Sequence, residues 1–142
     1  SIHGGGGNDD IWGGTGTDTL RGGSGVDFFH YNKGDSALTW VGSDEIVDFK
    51  SGTDKIIFDA QDVKAIQDLG SFNANNFGGF GSKGNFDHAL SSAKAVDLFF
   101  NATFFVDNGR DGYLFVDTDN NGSIDTGIVL QNVTQLQNWD LG

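Results

Sequence analysis

The chain contains no cysteine, no proline and no methionine, and its basic residues are few. Without cysteine, neither a disulfide framework nor a thiolate metal site is possible. Only 8 basic residues stand against 20 acidic ones, so the formal net charge is −12, opposite to the basic surface that nucleic-acid binding requires. No apolar run approaches the length of a membrane-spanning helix. These absences exclude disulfide-bonded, nucleic-acid-binding and membrane-spanning proteins.

The residues that are abundant indicate a folded domain with many tight turns. A length of 142 residues suits one domain, and 13 Phe and 3 Trp argue against disorder. Glycine contributes 23 residues, and among the acidic residues Glu45 is the only Glu. Aspartate in glycine-rich turns is typical of proteins that hold hard cations, because such turns present short carboxylates beside free carbonyl oxygens.

A nine-residue repeat occupies the start of the chain. Three consecutive copies begin at Gly4, Gly13 and Gly22, and residues 1–3 match the tail of an earlier copy. Glycine recurs at places one, two and four, aspartate at place six and an apolar residue at place eight. A flexible glycine linker would explain the glycines but not the constant phase of the other two residue types. Repeats of fixed period therefore predict a coiled, stacked architecture.

Each place in the repeat has a physical role. Glycine permits tight turns with positive φ, and the last three residues of each copy predict a very short strand with its middle residue inward. If each turn stacks on the turn two later, Asp9 approaches Asp27. Two carboxylates about 4 Å apart repel by roughly 4 kcal/mol at an effective dielectric near 20. A calcium ion, which accepts six to eight oxygens, would reverse this repulsion and fits better than magnesium.

The repeats resemble the calcium-binding β-roll of the repeats-in-toxin (RTX) proteins, which bacteria export through type I secretion channels. The resemblance implies that one turn shares each Ca²⁺ with the turn two later. The implied sites join Gly4, Gly6 and Asp9 to Gly23, Gly25 and Asp27; Gly13, Thr15 and Asp18 to Asn32, Gly34 and Asp35; and Gly22, Ser24 and Asp27 to Asp44. In the second site Ser36 occupies the place of the aspartate, with Asp35 beside it.

Two later stretches, 44–58 and 113–125, resemble the C-terminal part of serralysin-type peptidases and of related RTX adhesins and surface-layer proteins. The resemblance implies a hairpin that caps the roll. We therefore divide this single domain into a β-roll (1–39), a capping hairpin (40–59), an insert with a helix (60–112) and a C-terminal hairpin with a tail (113–142). The predicted fold is mostly β: a right-handed parallel β-roll capped by an antiparallel β region, with one or two short helices.

Within the insert, residues 62–69 predict a short helix, and apolar residues at helical spacing from Phe86 to Phe100 predict an amphipathic one. The phenylalanines of 71–86 suit either buried core or a contact site for a glycan or protein partner. Residues 117–125 match the opening of an EF-hand loop. However, Ile128 stands where that loop needs a Glu, and Asn-Gly is a hairpin turn signal, so both a calcium loop and a plain turn remain open.

Catalytic motifs are missing from the sequence. The three histidines form no His-Glu-x-x-His pair, and no Gly-x-Ser-x-Gly elbow occurs. Residues 79–84 match Gly-x-Gly-x-x-Gly but lack the preceding strand and the downstream acidic residue of a dinucleotide site. We therefore expect a chain without catalytic residues.

The sequence predicts a non-catalytic calcium-binding module that forms the C-terminal part of a larger protein, since the chain begins inside a repeat. It would pass through the type I secretion machinery by means of its C-terminal region and fold on binding calcium outside, as a secreted, extracellular or cell-surface domain. Two alternatives specify the parent: a secreted peptidase or lipase with its catalytic domain upstream, or an adhesin or surface-layer protein in which this module makes contacts.

Overall fold

A computed structural model describes residues 1–58, 66–96 and 103–141, and most of these residues lie in β-strands. The described residues contain one α-helix, α1 (Lys83–Val96), and two 3₁₀ turns, Ala74–Phe77 and Asn138–Asp140. The strands are β1 (Ile2–Gly6), β2 (Asp10–Trp12), β3 (Thr19–Ser24), β4 (Phe28–Tyr31), β5 (Asp44–Ile46), β6 (Lys55–Phe58), β7 (Gln67–Ser71), β8 (Thr103–Asp107), β9 (Gly112–Val116) and β10 (Thr126–Leu130). The predicted mostly β class with parallel strands is confirmed.

The first six strands alternate between two sheets. Strands β1, β3 and β5 pair in parallel in one sheet, and β2, β4 and β6 pair in parallel in the other. The register joins Ile2 to Leu20 and Ile11 to Phe29, so strands of copies two turns apart are neighbours. This pairing follows from the nine-residue period, because each copy supplies one short strand and one turn that crosses to the opposite sheet.

The place-eight residues form the core between the two sheets. They are 0–3% exposed, and two further residues, from β5 and β6, extend the same row: Ile11, Leu20, Phe29, Ile46 and Ile56. Burying each such side chain contributes about 1.5–3 kcal/mol. The row therefore holds the two sheets face to face even though most of these strands are only three or four residues long.

The predicted hairpin at 40–59 is wrong. Strand β5 pairs in parallel with β3, whereas β6 pairs in parallel with β4 in the other sheet, so the two do not pair with each other. The reason is that Asp44 and Asp54 each precede an isoleucine by two residues, as the repeat aspartates precede their apolar residues. This spacing continues the alternation between the sheets after the nine-residue period has ended.

The first sheet extends into an antiparallel region through β10. Its full order is β1-β3-β5-β10-β9-β8-β7, in which β10 pairs in parallel with β5, and β9 pairs antiparallel with β10 on one side and with β8 on the other. Strand β7 then pairs in parallel with β8. The residues of β7 were expected to end a short helix at 62–69; residues 67–69 lie in this strand, and 62–65 fall outside the described residues.

Helix α1 covers one face of the antiparallel region and forms a second core. Its buried residues include Phe86, Ala89 and Ala93, which pack against β8 and β9 beside Tyr113 and Phe115. The predicted amphipathic helix is thus present as far as Val96, and its expected end at Phe100 lies outside the described residues. Within the described residues, no helix is long and apolar enough to cross a membrane.

The Phe-rich stretch contributes to both packing and surface. Phe86 is fully buried, and Phe72 and Phe77 are half-buried against the ring of His88, with centroid distances of 4.7 and 3.8 Å. Phe80 is 49% exposed and lies under the guanidinium of Arg110 at 4.5 Å. Most of these rings therefore belong to the second core or its margin.

Candidate metal centre

The aspartates at place six lie at the starts of strands, where the chain enters a sheet. Asp9, Asp18 and Asp27 immediately precede β2, β3 and β4, and Asp44 begins β5. Asp54 immediately precedes β6 and was not among the predicted ligands. Because paired strands are in register, the carboxylates at their starts are brought side by side.

Three aspartate pairs share one hydrogen-bonding pattern. The backbone N–H of Asp9 donates to Oδ1 of Asp27 (3.1 Å) across 18 residues. The Asp18 N–H donates to Oδ1 of Asp44 (2.8 Å) across 26 residues. The Asp27 N–H donates to Oδ1 of Asp54 (3.1 Å) across 27 residues. In each pair, Oδ1 of the aspartate later in the chain accepts from the backbone N–H of the earlier aspartate. The pairing therefore leaves Oδ2 of the later aspartate for another partner.

In four of the aspartates, the Oδ2 oxygen is buried without a hydrogen-bond partner. They are Oδ2 of Asp9, Asp18, Asp27 and Asp44. A buried carboxylate oxygen without a donor is costly, and native proteins rarely leave one unsatisfied. A cation resolves this cost, because it neutralises both carboxylates of a pair and takes their free oxygens as ligands. The donor set, which consists of carboxylate and carbonyl oxygens without nitrogen or sulfur, fits Ca²⁺.

Glycine lets these oxygens approach the backbone. A Cβ on Gly22 would lie 2.3 Å from Oδ2 of Asp27, and one on Gly4 would lie 2.7 Å from both Oδ2 of Asp9 and the carbonyl oxygen of Gly22. A Cβ on Gly13 would lie 3.1 Å from Oδ2 of Asp18 and 3.3 Å from Oδ2 of Asp44. The free carboxylate oxygens therefore lie against glycine backbone.

The first predicted site brings its two turns together. Gly5 and Gly6 are register partners of Gly23 and Ser24, and the Gly7 N–H donates to the Ser24 carbonyl at 2.8 Å. The predicted set of Gly4, Gly6 and Asp9 with Gly23, Gly25 and Asp27 thus lies in adjacent, paired turns.

The predicted partners of the other two half-sites are corrected. We expected Asp44 opposite Asp27, but Asp44 lies against Asp18, and Asp27 faces Asp54 instead. The spacing of Asp54 from Ile56, the same as that of Asp9 from Ile11, was the signal that identifies the missed residue. Both oxygens of Asp54 have backbone donors, since Oδ2 accepts from Lys50 N–H at 2.8 Å.

Residues 32–36 form a local turn beside the Asp18–Asp44 pair. Oδ2 of Asp35 accepts from the Asn32 N–H at 2.7 Å, so this carboxylate caps its own loop. Ser36 is fully buried, and its Oγ accepts from the Asp44 N–H at 2.8 Å and donates to the Gly127 carbonyl at 2.5 Å. Ser36 therefore orients Asp44, and Asp35 contributes negative charge nearby.

Burial dominates the electrostatics of Asp44. Burial raises the pKa of Asp44 to about 7; the hydrogen bond from Asp18 N–H lowers it, and the charges of Asp18 and Asp35 raise it. Burial likewise raises the pKa of Asp54 and, together with the charges of Asp44 and Asp18, that of the Tyr31 hydroxyl. Without a cation, burial and the nearby charges of Asp18 and Asp35 therefore disfavour the ionised form of Asp44.

The hairpin loop between β9 and β10 holds a further acidic cluster. Ligand atoms of Asp117, Asp119 and Asp125 lie within 4.8 Å of one another. Asp117 accepts from the backbone of Asn121 and Gly122, Asp125 accepts from Thr118, and Asp119 pairs with a lysine, Lys33. These carboxylates already have donors, so the loop is satisfied as a hairpin turn.

A comparison with known families matches the part of the chain that contains the first three of these aspartates. The family model of the RTX calcium-binding nonapeptide repeat matches residues 1–38 in four copies. A comparison with curated protein sequences finds no matching relative. The matched segment contains Asp9, Asp18 and Asp27, three of the four aspartates with an unpartnered buried oxygen. Residues 1–38 are therefore RTX calcium-binding nonapeptide repeats, a non-catalytic type of module that binds Ca²⁺, and the chain carries an RTX calcium-binding domain.

Proposed function

We propose that the two parallel sheets form a β-roll that folds when calcium binds between its aspartate pairs. The observation that carries the proposal is the set of buried, unpartnered oxygens on Asp9, Asp18, Asp27 and Asp44. In the calcium-free chain these carboxylates repel one another, and the stacking of the turns brings that repulsion to its maximum. Calcium binding and stacking of the turns therefore occur together.

The ligand assignment follows the observed pairs. One ion takes Asp9 and Asp27 with carbonyl oxygens of the adjacent turns that contain Gly4, Gly6, Gly23 and Gly25. A second takes Asp18 and Asp44 beside Gly13 and Thr15. A third position lies between Asp27 and Asp54, beside Gly22 and Ser24. It is weaker, because both oxygens of Asp54 are already hydrogen-bonded.

We further propose that the module belongs to a larger exported protein and works outside the cell. RTX repeat proteins are generally secreted, and extracellular calcium modules bind with dissociation constants of about 10⁻⁴–10⁻³ M. Each site at tenfold excess of calcium over its dissociation constant adds ~1.4 kcal/mol, so two or three sites decide the folding of a marginally stable domain. Repulsion keeps the chain extended where calcium is scarce, which suits passage through a type I channel, and calcium folds it afterwards.

Calcium titration of the chain followed by far-UV circular dichroism tests this proposal. We expect little β signal in excess chelator and a cooperative gain on addition of millimolar calcium but not of equal magnesium. Asp44→Asn should raise the calcium midpoint several-fold, since it removes one charged ligand. Asp87→Asn is the matched control, because its carboxylate lies on α1, away from the aspartate pairs, and pairs with Lys83. An unchanged spectrum in excess chelator, or equal effects of the two variants, would refute the proposal.

A further inference from the structure

A cavity of about 220 Å³ lies on the outer face of the seven-stranded sheet, next to the Asp18–Asp44 pair. Its floor is made by Thr19, Glu45 and Val129, which are register neighbours on β3, β5 and β10. The walls are Thr17, Asp18, Trp40 and Ser43. The size is below the usual range for drug-sized ligands and suits a group as large as one amino-acid side chain.

Three polar side chains of this cavity, those of Glu45, Thr17 and Ser43, offer acceptors to a ligand. Gln131 Nε2 donates to Oε1 of Glu45 at 3.0 Å, and within the described residues the other oxygen, Oε2, has no hydrogen-bond partner. The hydroxyls of Thr17 and Ser43 donate hydrogen bonds to the carbonyls of Val41 and Ala37, respectively. Their oxygens can therefore only accept from a ligand, and a ligand that pairs with them must supply the hydrogen-bond donors.

The negative charge of Glu45 and the aromatic side chain of Trp40 determine which kind of hydrogen-bond donor a ligand should carry. Among the residues that the structure describes, no Lys, Arg or His lines the cavity, and Arg110, which attracts Glu45, is itself bonded to Asp111 at 2.7 Å. Trp40 packs against the ring of Phe86 with centroids 6.1 Å apart and lines the same cavity as Glu45. A cavity lined by a carboxylate and an indole offers an ammonium or guanidinium group both an ion pair and a cation–π contact.

We propose that this cavity binds a small organic cation, the ammonium or guanidinium end of a ligand about as large as a lysine or arginine side chain. The proposal rests on the proposed function in one respect. The walls at 17–19 and 43–45 flank Asp18 and Asp44, and calcium is what holds those two carboxylates together. Cation binding therefore requires calcium.

Trp40 fluorescence provides the test. In a chain with Trp12→Phe and Trp139→Phe, Trp40 is the only tryptophan, and n-butylammonium and n-butylguanidinium are titrated in millimolar calcium, with n-butanol as the neutral probe. We expect a saturable change with the two cations and none with butanol. Glu45→Gln should weaken cation binding about tenfold, the effect of replacing a charge-assisted hydrogen bond by a neutral one. Asp87→Asn, the same change of charge on exposed α1, should leave the affinity within about twofold.

The outcomes separate the two proposals. If Glu45→Gln folds with calcium as the parent does but binds n-butylammonium equally well, or if butanol binds like the cations, the cation site is wrong. Calcium-induced folding without any response to the cations rejects the cation site and leaves the proposed function intact. Cation binding by a chain that stays folded in excess chelator refutes both the calcium requirement and the proposed function.

Discussion

Aspartate at place six performs two tasks that a single short carboxylate combines well. In the Asp9–Asp27 pair, Oδ1 of Asp27 accepts the backbone N–H of the neighbouring turn, while Oδ2 stays buried and free for a cation. Glutamate has one more methylene, so its carboxylate would reach past the backbone donor. This difference explains why acidic positions near the turns are aspartate, whereas Glu45, on the outer face of β5, faces the cavity.

Two glycines at place two of the repeat allow the cost of a positive φ to be measured separately from the cost of a steric clash. Gly14 and Gly23 both have positive φ (76° and 100°), but a Cβ on Gly14 meets nothing within 4 Å, whereas one on Gly23 would lie 2.0 Å from the Gly5 carbonyl oxygen. We expect Gly14→Ala to cost about 1–2 kcal/mol from φ alone. Gly23→Ala should cost a further 1–3 kcal/mol or so, because the stacked turns must separate.

Chemical denaturation of both variants in saturating calcium measures this difference. Equal losses of unfolding free energy in Gly14→Ala and Gly23→Ala would show that the Gly5–Gly23 contact does not limit the stacking of the turns. A larger loss for Gly23→Ala, with a higher calcium midpoint, is the expected result.

Among the elements, the last 3₁₀ turn is attached to the loop that carries the final aspartate pair. Asp140 is fully buried and accepts from Ser51 Oγ (2.6 Å), Gly52 N–H (2.7 Å) and Gln137 N–H (2.8 Å). Leu141 forms a parallel bridge with Ile56 of β6. The loop 50–53 also leads into Asp54, so order at the third aspartate pair and attachment of the C-terminal turn are coupled.

Replacement of Asp140 tests this attachment. Asp140→Asn places an amide NH₂ among three donors, and the unsatisfied contacts should cost about 1–3 kcal/mol. Hydrogen exchange at the Gly52 amide should rise sharply while exchange within β3 and β5 changes little. Asp68→Asn is the control, because Asp68 is exposed and accepts from the Gly70 N–H two residues away. Unchanged protection of Gly52 in Asp140→Asn would contradict the coupling.

The whole molecule is strongly acidic, and five of its 20 acidic residues form the aspartate pairs. The formal charge of −12 describes the calcium-free chain, and every bound ion offsets two units. The charge therefore opposes folding before calcium binds and is partly neutralised afterwards. This dependence makes the fold sensitive to protons as well as to calcium, because both compete for the same carboxylates.

Lowering the pH should consequently stabilise the calcium-free fold. The pKa of Asp44 is raised by burial from 3.8 to about 7 in that fold, so its proton stabilises the fold at low pH, and this contribution is lost as pH rises from 3.8 through about 7. Far-UV circular dichroism of the chain in excess chelator should therefore show more β signal at pH 6 than at pH 8. Asp44→Asn should lose most of this pH dependence, and a β signal of the parent that does not change with pH would contradict the prediction.

The local sequence was enough to predict the repeat, the row of buried place-eight residues and most of the candidate site. The constant phase of glycine, aspartate and apolar residues is a short-range pattern, so it predicted the place-eight core and the approach of Asp9 to Asp27 without tertiary information. It did not predict the partners of Asp18 and Asp27, because the nine-residue period ends at residue 30. Beyond that point, the position of Asp44 depends on Ser36 and Gly127, which lie far apart in the chain.

The sequence by itself determined that calcium binds and that aspartate holds it. The nine-residue period fixes the spacing of aspartate, glycine and the apolar residue, so this spacing recurs wherever the turns stack. Only the tertiary structure decided that β5 and β6 continue the two sheets, that Asp54 completes the third pair, and that Trp40 and Glu45 line one cavity. Those results depend on long-range strand register and on the attachment of β10 to β5, for which the sequence has no periodic signal.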